Sequence, residues 1–351
     1  VNPLLILAFA ATAFVLALLL FPVLINLLHR WALHDHPSDR KIHTAFTPSM
    51  GGICILLAAG LTLLLAVPLT AWAQWKLYFI ALAIIFVTGL RDDILVLSPG
   101  QKLLGQLLPV AILVFAGGIQ ITSLYSLWSG PLPFWAASAL TVLALVAVTN
   151  SFNLIDGIDG LAGVLSLLAF LALGTWFWLA GQHFPALLAG VFCGAIGGFL
   201  YYNWQPSKIF MGDTGTLPIG FTIAVLLILF MEANFRLPAA SSFRFSATIG
   251  TALCVFFVPA FDTARVVMYR LVNRQSPFRA DRNHLHHHLL RLGLSHAQTA
   301  LLLAAVNACF IGLAWVGKSW PEHLLLPVVA VAALMLNFGL HVALRKNAGK
   351  D

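Results

Sequence analysis

The chain has 351 residues, of which 60% are hydrophobic and 9% charged. Soluble domains run at about 45–50% apolar and about 25% charged, and no soluble core of this size hides so much apolar surface. Together with a mean hydropathy of +0.94, this excludes soluble, disordered, fibrous and disulfide-scaffold classes and leaves a polytopic membrane protein. A net charge of +7 would suggest nucleic acid for a soluble domain. Basic loops orient membrane proteins, so the expected partner is the lipid bilayer, with no nucleic acid. The cysteines Cys54, Cys193, Cys254 and Cys309 lie far apart in apolar runs, form no CxxC, and read as hydrophobes.

At about 20 apolar residues per span, the predicted helices are residues 3–28, 50–71, 76–90, 103–117, 134–149, 161–180, 186–202, 216–231, 246–271, 297–317 and 324–344. The fold class is therefore all-α, with about eleven transmembrane helices in a single domain over 1–351. Its motif-bearing core covers 35–288, and two further helices lie within 297–344. The first run is too long for a signal-peptide core and lacks an A-x-A site, so it reads as a span. Because the chain starts at Val1, a missing initiator or short leader is allowed for.

Eleven spans put the termini on opposite sides. One side receives loops 29–49, 91–102, 150–160, 203–215 and 272–296 and the C-terminus, and with them, counting Arg265 and Arg270 at the end of their helix, fifteen of the nineteen Lys and Arg. The positive-inside rule makes that side cytoplasmic and places the N-terminus outside. Nine of the ten aspartates and ten of the twelve histidines share it, Asp262 heads towards it, and both glutamates, Glu232 and Glu322, fall opposite. The positive-inside rule does not govern Asp or His, so this bias signals a polar site on the cytoplasmic face.

Four constellations supply it. Arg91-Asp92-Asp93, followed by Lys102, pairs adjacent carboxylates that need a cation or proton at a membrane surface. In Asn150-Ser-Phe-Asn153-Leu-Ile-Asp156-Gly-Ile-Asp159-Gly, a helix would align Asn153, Asp156 and Asp159 on one face over about 9 Å. Capping explains one of these residues, not all three. Gly212-Asp213-Thr-Gly215 precedes an apolar run, where an acid either caps a helix or approaches a metal-bound phosphate. Arg279-Ala-Asp281-Arg282-Asn-His284-Leu-His286-His287-His288 suits anion recognition better than zinc, since consecutive histidines share no ligand face and no Cys or Glu accompanies them. The loop Asp35–His43 and Pro48-Ser-Met-Gly51-Gly52 add bases and a tight turn, while Asp262 and Arg265 read as a structural ion pair.

Asp and Asn oxygens suit a hard cation, and Mg²⁺ is commonly held by one or two carboxylates plus substrate phosphates. A membrane-surface site with bases alongside suggests phosphoryl transfer between a nucleotide compound and a lipid. Bringing two phosphates within about 4 Å costs about 4 kcal/mol at an effective dielectric near 20, which a metal and nearby bases must offset.

These residues resemble the polyprenyl-phosphate N-acetylhexosamine-1-phosphate transferases. The resemblance rests on DHPSDRKIH (35–43), PSMGG (48–52), DD (92–93), NSFNLIDGIDGLAG (150–163), FMGDTG (210–215) and SPFRADRNHLHHH (276–288), in family order. It implies a bacterial inner-membrane enzyme with a cytoplasmic active site. Its reaction is Mg²⁺-dependent (Mn²⁺ as substitute) transfer of a sugar-1-phosphate from a UDP-N-acetylhexosamine to undecaprenyl phosphate, releasing UMP and starting a cell-envelope glycan. A homodimer is allowed for.

Carried over residue by residue, Asp213 binds the metal with Asn153, and Asp159 contacts the uracil. Asp92 or Asp93 acts on the lipid phosphate, which Lys102 meets electrostatically. Asp156 and Asn150 belong to the same acidic motif, and Arg279, Arg282, His284, His286 and His287 hold the diphosphate and sugar. The muramoyl-pentapeptide branch usually has Ala-Pro-Ile before its histidines and a longer link after its Asp pair. This chain instead resembles the N-acetylglucosamine-1-phosphate branch. Two alternatives are a secondary transporter, disfavoured because the acids sit in loops and helix mouths rather than at midplane, and a CDP-alcohol phosphotransferase, whose DGxxAR is absent.

Overall fold

The computed structural model describes residues 2–31, 47–128, 130–276 and 283–348, and these form a helical bundle with no strand beyond one isolated bridge, Ser123–Pro131. Its first helix, α1 (Pro3–Arg30), begins where the Asn2 side chain accepts the Leu4 N–H and ends with His29 and Arg30 against the helix dipole. Next come α2 (Gly52–Ala66) and α3 (Leu69–Leu95). The expected spans 50–71 and 76–90 are thus redivided: Pro68 has no N–H to extend α2 and instead precedes α3, giving a helix of 15 residues and one of 27. Ser98 and Gln101 form a reciprocal capping box at the start of α4 (Pro99–Ala111), which runs on into a π-turn, Ile112–Ala116.

Further along lie α5 (Phe134–Leu154), α6 (Leu161–Leu179), α7 (His183–Asn203) and α8 (Asp213–Arg236). They are followed by α9 (Thr248–Val255), α10 (Phe257–Val272), α11 (Leu285–Arg291), α12 (His296–Val316) and α13 (Glu322–Ala348). Among the described residues, nine helices are long and apolar enough to cross a membrane. The span expected at 246–271 is corrected: α9 and α10 meet at 89°. Pro259 cannot donate to the Val255 carbonyl one turn back. Asn307 of α12 fills the gap, donating to Val255 O at 3.1 Å and accepting from Val258 N at 3.0 Å.

α8 is the mast of the bundle, with 94% of its most apolar window buried, against 17% for α1 and 11% for α13. It packs against α3, α5 and α6, while α7 is sandwiched between α1 and α6. Glu232 lies near the far end of the 24-residue α8, about 28 Å from its start, and Glu322 opens α13. Glu232 accepts from Thr122 N and Tyr125 Oη, and buried Glu322 caps α9 through Ile249 N and Gly250 N.

Candidate active site

At the opposite end of α8 the acidic motifs converge. Gly212, at φ +69°, turns the chain into the helix, and the first N–H groups of α8 find two carboxylates from other elements. Gly212 N donates to Asp156, and Asp213 N and Thr214 N donate to the two oxygens of Asp93, at 2.8 and 2.9 Å. The Thr214 hydroxyl also donates to Asp93. An acid at a helix N-terminus satisfies orphan donors and favours the positive end of the dipole. Asp93 is therefore occupied in anchoring α3 to α8. The approach is close because residue 89 is glycine: a Cβ there would lie 2.2 Å from the Asp213 carbonyl oxygen.

Asp92 faces the other way. Its Oδ1 accepts the Leu97 N–H at 2.7 Å, closing the α3–α4 turn, and its Oδ2 lies 2.9 Å from Lys102 Nζ. The same ammonium is 2.8 Å from Asp213 Oδ2 and 3.1 Å from Asn153 Oδ1. Asn153 Nδ2 donates to Asp213 Oδ1 and to Thr216 Oγ1, which fixes the orientation of the amide. Three oxygens from α3, α5 and α8 thus surround one cation. Of the two acids, the Asp213 side chain is the more open, 23% exposed against 7% for Asp92, so Asp213 is the one that faces incoming solutes.

Two carboxylates, Asp92 and Asp213, meet at Lys102, while Asp93 and Asp156 lie at the start of α8 beside them. Burial, followed by the charges of Asp213, Asp93 and Asp159, pushes the Asp156 carboxyl up to about 7, although part of that residue reaches solvent. This excess of hard oxygen and negative charge suits a divalent cation. Asp213 and Asn153 offer the donors, and substrate phosphates would complete the shell. Among the described residues no group of three or more His, Cys, Asp or Glu is arranged to hold a metal by itself.

The remaining predicted residues divide. Asp159 is 2% exposed; it accepts from the Ser207 hydroxyl at 3.0 Å and lies 3.5 Å from His296 Nδ1, tying three segments together. Asn150 pairs its amide with Gln106 across α4 and α5. His286, 1% exposed, lies over Gly157, where an added Cβ would be 2.1 Å from its Nε2. Burial pulls its pKa down to about 3, so the ring is neutral, and neither ring nitrogen has a hydrogen-bond partner among the described residues. His284 and His287 flank it, with ring centroids 5.8 and 4.2 Å away. Through Gly157, the histidine helix reaches the Asp156–Gly212–Asp213 corner. Arg279, Arg282 and the loop 35–43 lie outside the described residues. Sequence reasoning gives no role to Thr214, Thr216, Ser207, Gln106 and His296; the first three stand in the run from Asn203 to Thr216, but Gln106 and His296 carry no local signal.

Comparison with known proteins gives a consistent assignment. A family profile, Glycosyl transferase family 4, matches residues 75–231, the stretch from α3 to α8. The chain is 32% identical over 338 residues to a probable undecaprenyl-phosphate N-acetylglucosaminyl 1-phosphate transferase of Bacillus subtilis, covering 92% of this chain and 89% of that protein. It is 30% identical over 295 residues to a decaprenyl-phosphate N-acetylglucosaminephosphotransferase of Mycolicibacterium smegmatis (78% and 72% covered). Against a phospho-N-acetylmuramoyl-pentapeptide-transferase of Geobacillus kaustophilus it is 31% identical over 319 residues (86% and 94% covered). With its acids gathered at one mouth of a helical bundle, the chain belongs to the polyprenyl-phosphate N-acetylhexosamine-1-phosphate transferases of glycosyl transferase family 4 and is a multi-pass membrane enzyme.

Proposed function

We propose that the protein transfers N-acetylglucosamine-1-phosphate from UDP-N-acetylglucosamine to undecaprenyl phosphate in an Mg²⁺-dependent reaction at the cytoplasmic face of a bacterial inner membrane, with the N-terminus outside. The observation that carries the reading is the meeting of Asp92, Asp213 and Asn153 around Lys102 Nζ. An apolar groove of about 630 Å³ opens beside it between α3 and α4, lined by Ile84, Val87, Leu104 and Leu108 with Arg91 and Gln101 at its polar end. A lipid phosphate presented there would meet Lys102 while its chain stays among apolar side chains. The Glu-free, Asp-rich end of the bundle faces the cytoplasm in this reading, because the basic loops share it.

In the reaction an oxygen of the acceptor phosphate attacks the sugar-bearing phosphorus of the donor. The bond from that phosphorus to the bridging oxygen breaks, and UMP leaves with the electron pair. A phosphate monoester with a second pKa near 6 is already largely dianionic at pH 7, so charge balances with no protein base. The side chains position and neutralise: Lys102 draws the acceptor phosphate to Asp213, and Asp93 and Asp156 hold the first turn of α8 in place. The histidines of α11 line the donor side. Asp213 and Asn153 would hold Mg²⁺, which would supply charge neutralisation at the diphosphate.

The test is direct. Purified protein is incubated with Mg²⁺, undecaprenyl phosphate and a panel of UDP-sugars, and UMP is measured together with diphosphate-linked lipid. UMP and product with UDP-N-acetylglucosamine are expected; folded protein that yields neither with any donor refutes the reading. UDP-N-acetylmuramoyl-pentapeptide belongs in the panel, since the Geobacillus kaustophilus relative bears the muramoyl name.

A further inference from the structure

Asp262 lies outside the acidic cluster, one turn past the right-angle break between α9 and α10, and is 1% exposed. A carboxylate so deep in an apolar helix needs partners, and it has three. Its Oδ1 accepts the Leu285 N–H at 2.8 Å and lies 3.2 Å from Arg265 Nη2. Its Oδ2 lies 2.8 Å from His284 Nδ1. Arg265 also donates to the Asn283 carbonyl. One oxygen therefore anchors the backbone where α11 begins, and the other is given over to the ring of the residue that caps it. That ring lies nearly parallel to the ring of His286, at 8°, which covers Gly157 beside Asp156. Anchoring α11 requires only the first oxygen. The second sets a chemical state.

We infer that Asp262 is a positioning residue: through the Oδ2–Nδ1 contact it fixes the tautomer and orientation of His284, leaving the Nε2 lone pair to accept from a hydroxyl of the nucleotide sugar. This rests on the reading of His284 as a donor-binding residue. A carboxylate accepts only, so Nδ1 carries the proton. Nε2 then accepts when the ring is neutral and donates when it is charged. Partners on the far ring nitrogen set tautomer in this way wherever a histidine acts by its other nitrogen.

Asp262→Asn separates the two functions of the carboxylate. The Leu285 N–H needs an acceptor, so the Asn oxygen must occupy the Oδ1 place. Its Nδ2 then faces His284 Nδ1 and donates to it. The backbone anchor survives, but the neutral ring must carry its proton on Nε2.

The experiment uses full-length protein labelled with ¹⁵N at histidine, in detergent at pH 8, with the His284 ring signal assigned by its loss in His284→Gln. An Nδ1-protonated ring is expected in the wild type and an Nε2-protonated ring in Asp262→Asn. Sugar-1-phosphate transfer should fall on the order of 100-fold in kcat, with KM for undecaprenyl phosphate unchanged. Combined with His284→Gln, Asp262→Asn should cost less than about threefold more, because residues that act as a unit are not additive. A wild-type ring protonated on Nε2 overturns the proposal even if Asp262→Asn fails to fold. So does an unchanged tautomer in the variant, near-normal turnover, or losses that multiply in the double variant. The ring spectrum needs no turnover, so failure of the transferase reading would show in the activity assay alone.

Discussion

Lys102 occupies the position that a divalent cation would contest, and this leads to an unusual expectation for its removal. Its Nζ lies 2.8–3.1 Å from Asp213 Oδ2, Asp92 Oδ2 and Asn153 Oδ1, and Asp213 and Asn153 are the proposed metal ligands. Lys102→Met keeps the aliphatic stem and removes only the charge. A unit charge about 4 Å from a divalent ion repels it by about 2 kcal/mol in water and about 8 kcal/mol at an effective dielectric of 20. The flexible stem lets the ammonium swing aside, so the lower figure applies, and about 2 kcal/mol is roughly a 30-fold gain in Mg²⁺ affinity. The variant should therefore bind Mg²⁺ more tightly while transferring sugar-phosphate at least 100-fold more slowly, since the acceptor phosphate loses its cation. Isothermal titration of metal-free protein at pH 8 reads the first effect, and initial-rate UMP release reads the second. Mg²⁺ affinity that is unchanged or weaker in Lys102→Met would refute the idea that ammonium and metal compete for the same oxygens.

Three further expectations follow from the same corner. Asp93→Ala strands two backbone N–H groups and a hydroxyl at the start of α8; it should lower unfolding stability by about 2–4 kcal/mol, and a loss below about 0.5 kcal/mol by denaturant titration would count against the capping role. Asp156 carries a carboxyl raised to about 7, so the metal-free fold binds a proton that the unfolded chain releases near 4. Its stability is fully present below about pH 4 and declines as pH rises towards 7, by about 2 kcal/mol after allowance for solvent screening. Asp156→Asn should flatten that slope in thermal unfolding between pH 5 and pH 8, whereas an unchanged slope would point to other groups. Gly89→Ala places a methyl 2.2 Å from the Asp213 carbonyl oxygen, where only backbone movement gives relief; overpacking of about 1–3 kcal/mol and a loss of turnover above tenfold are expected, and wild-type kinetics would mean that α3 and α8 yield freely.

Much of this site was legible in the chain because its polar residues are few. When 9% of residues are charged, an Asp at a span's mouth stands out, and Asp92, Asp93, Asn153, Asp156 and Asp213 are all conspicuous in the sequence. What spacing could not divide was labour among them. Asp92 and Asp93 are neighbours in sequence, yet successive side chains on a helix point about 100° apart, so one meets Lys102 and the other caps α8. Asp159 shares the i, i+3 rhythm of Asn153 and Asp156, but α5 ends at Leu154, and beyond it the loop turns this carboxylate inward to Ser207 and His296. The 246–271 span read as continuous because hydropathy sees apolar residues and not missing N–H groups; Pro259 was visible, but Asn307, which makes the break tolerable, lies far along the chain. The Asp262–Arg265 ion pair expected from i, i+3 spacing is present, whereas the contact of Asp262 with His284 is set by the tertiary fold.

The burial of α8 has one further consequence. A helix at the rim of a bundle presents its side chains to acyl tails, which accept almost any hydrocarbon shape. α8 instead presents them to fixed neighbours on every side. Saturation mutagenesis should show this as two regimes within one protein: α1 and α13 exchanging Leu, Val, Ile and Phe freely, and α8 tolerating few changes of volume along its length. Variation among related enzymes would then gather on the lipid-facing helices, where it can adjust fit to different membranes without disturbing the place where the phosphates meet.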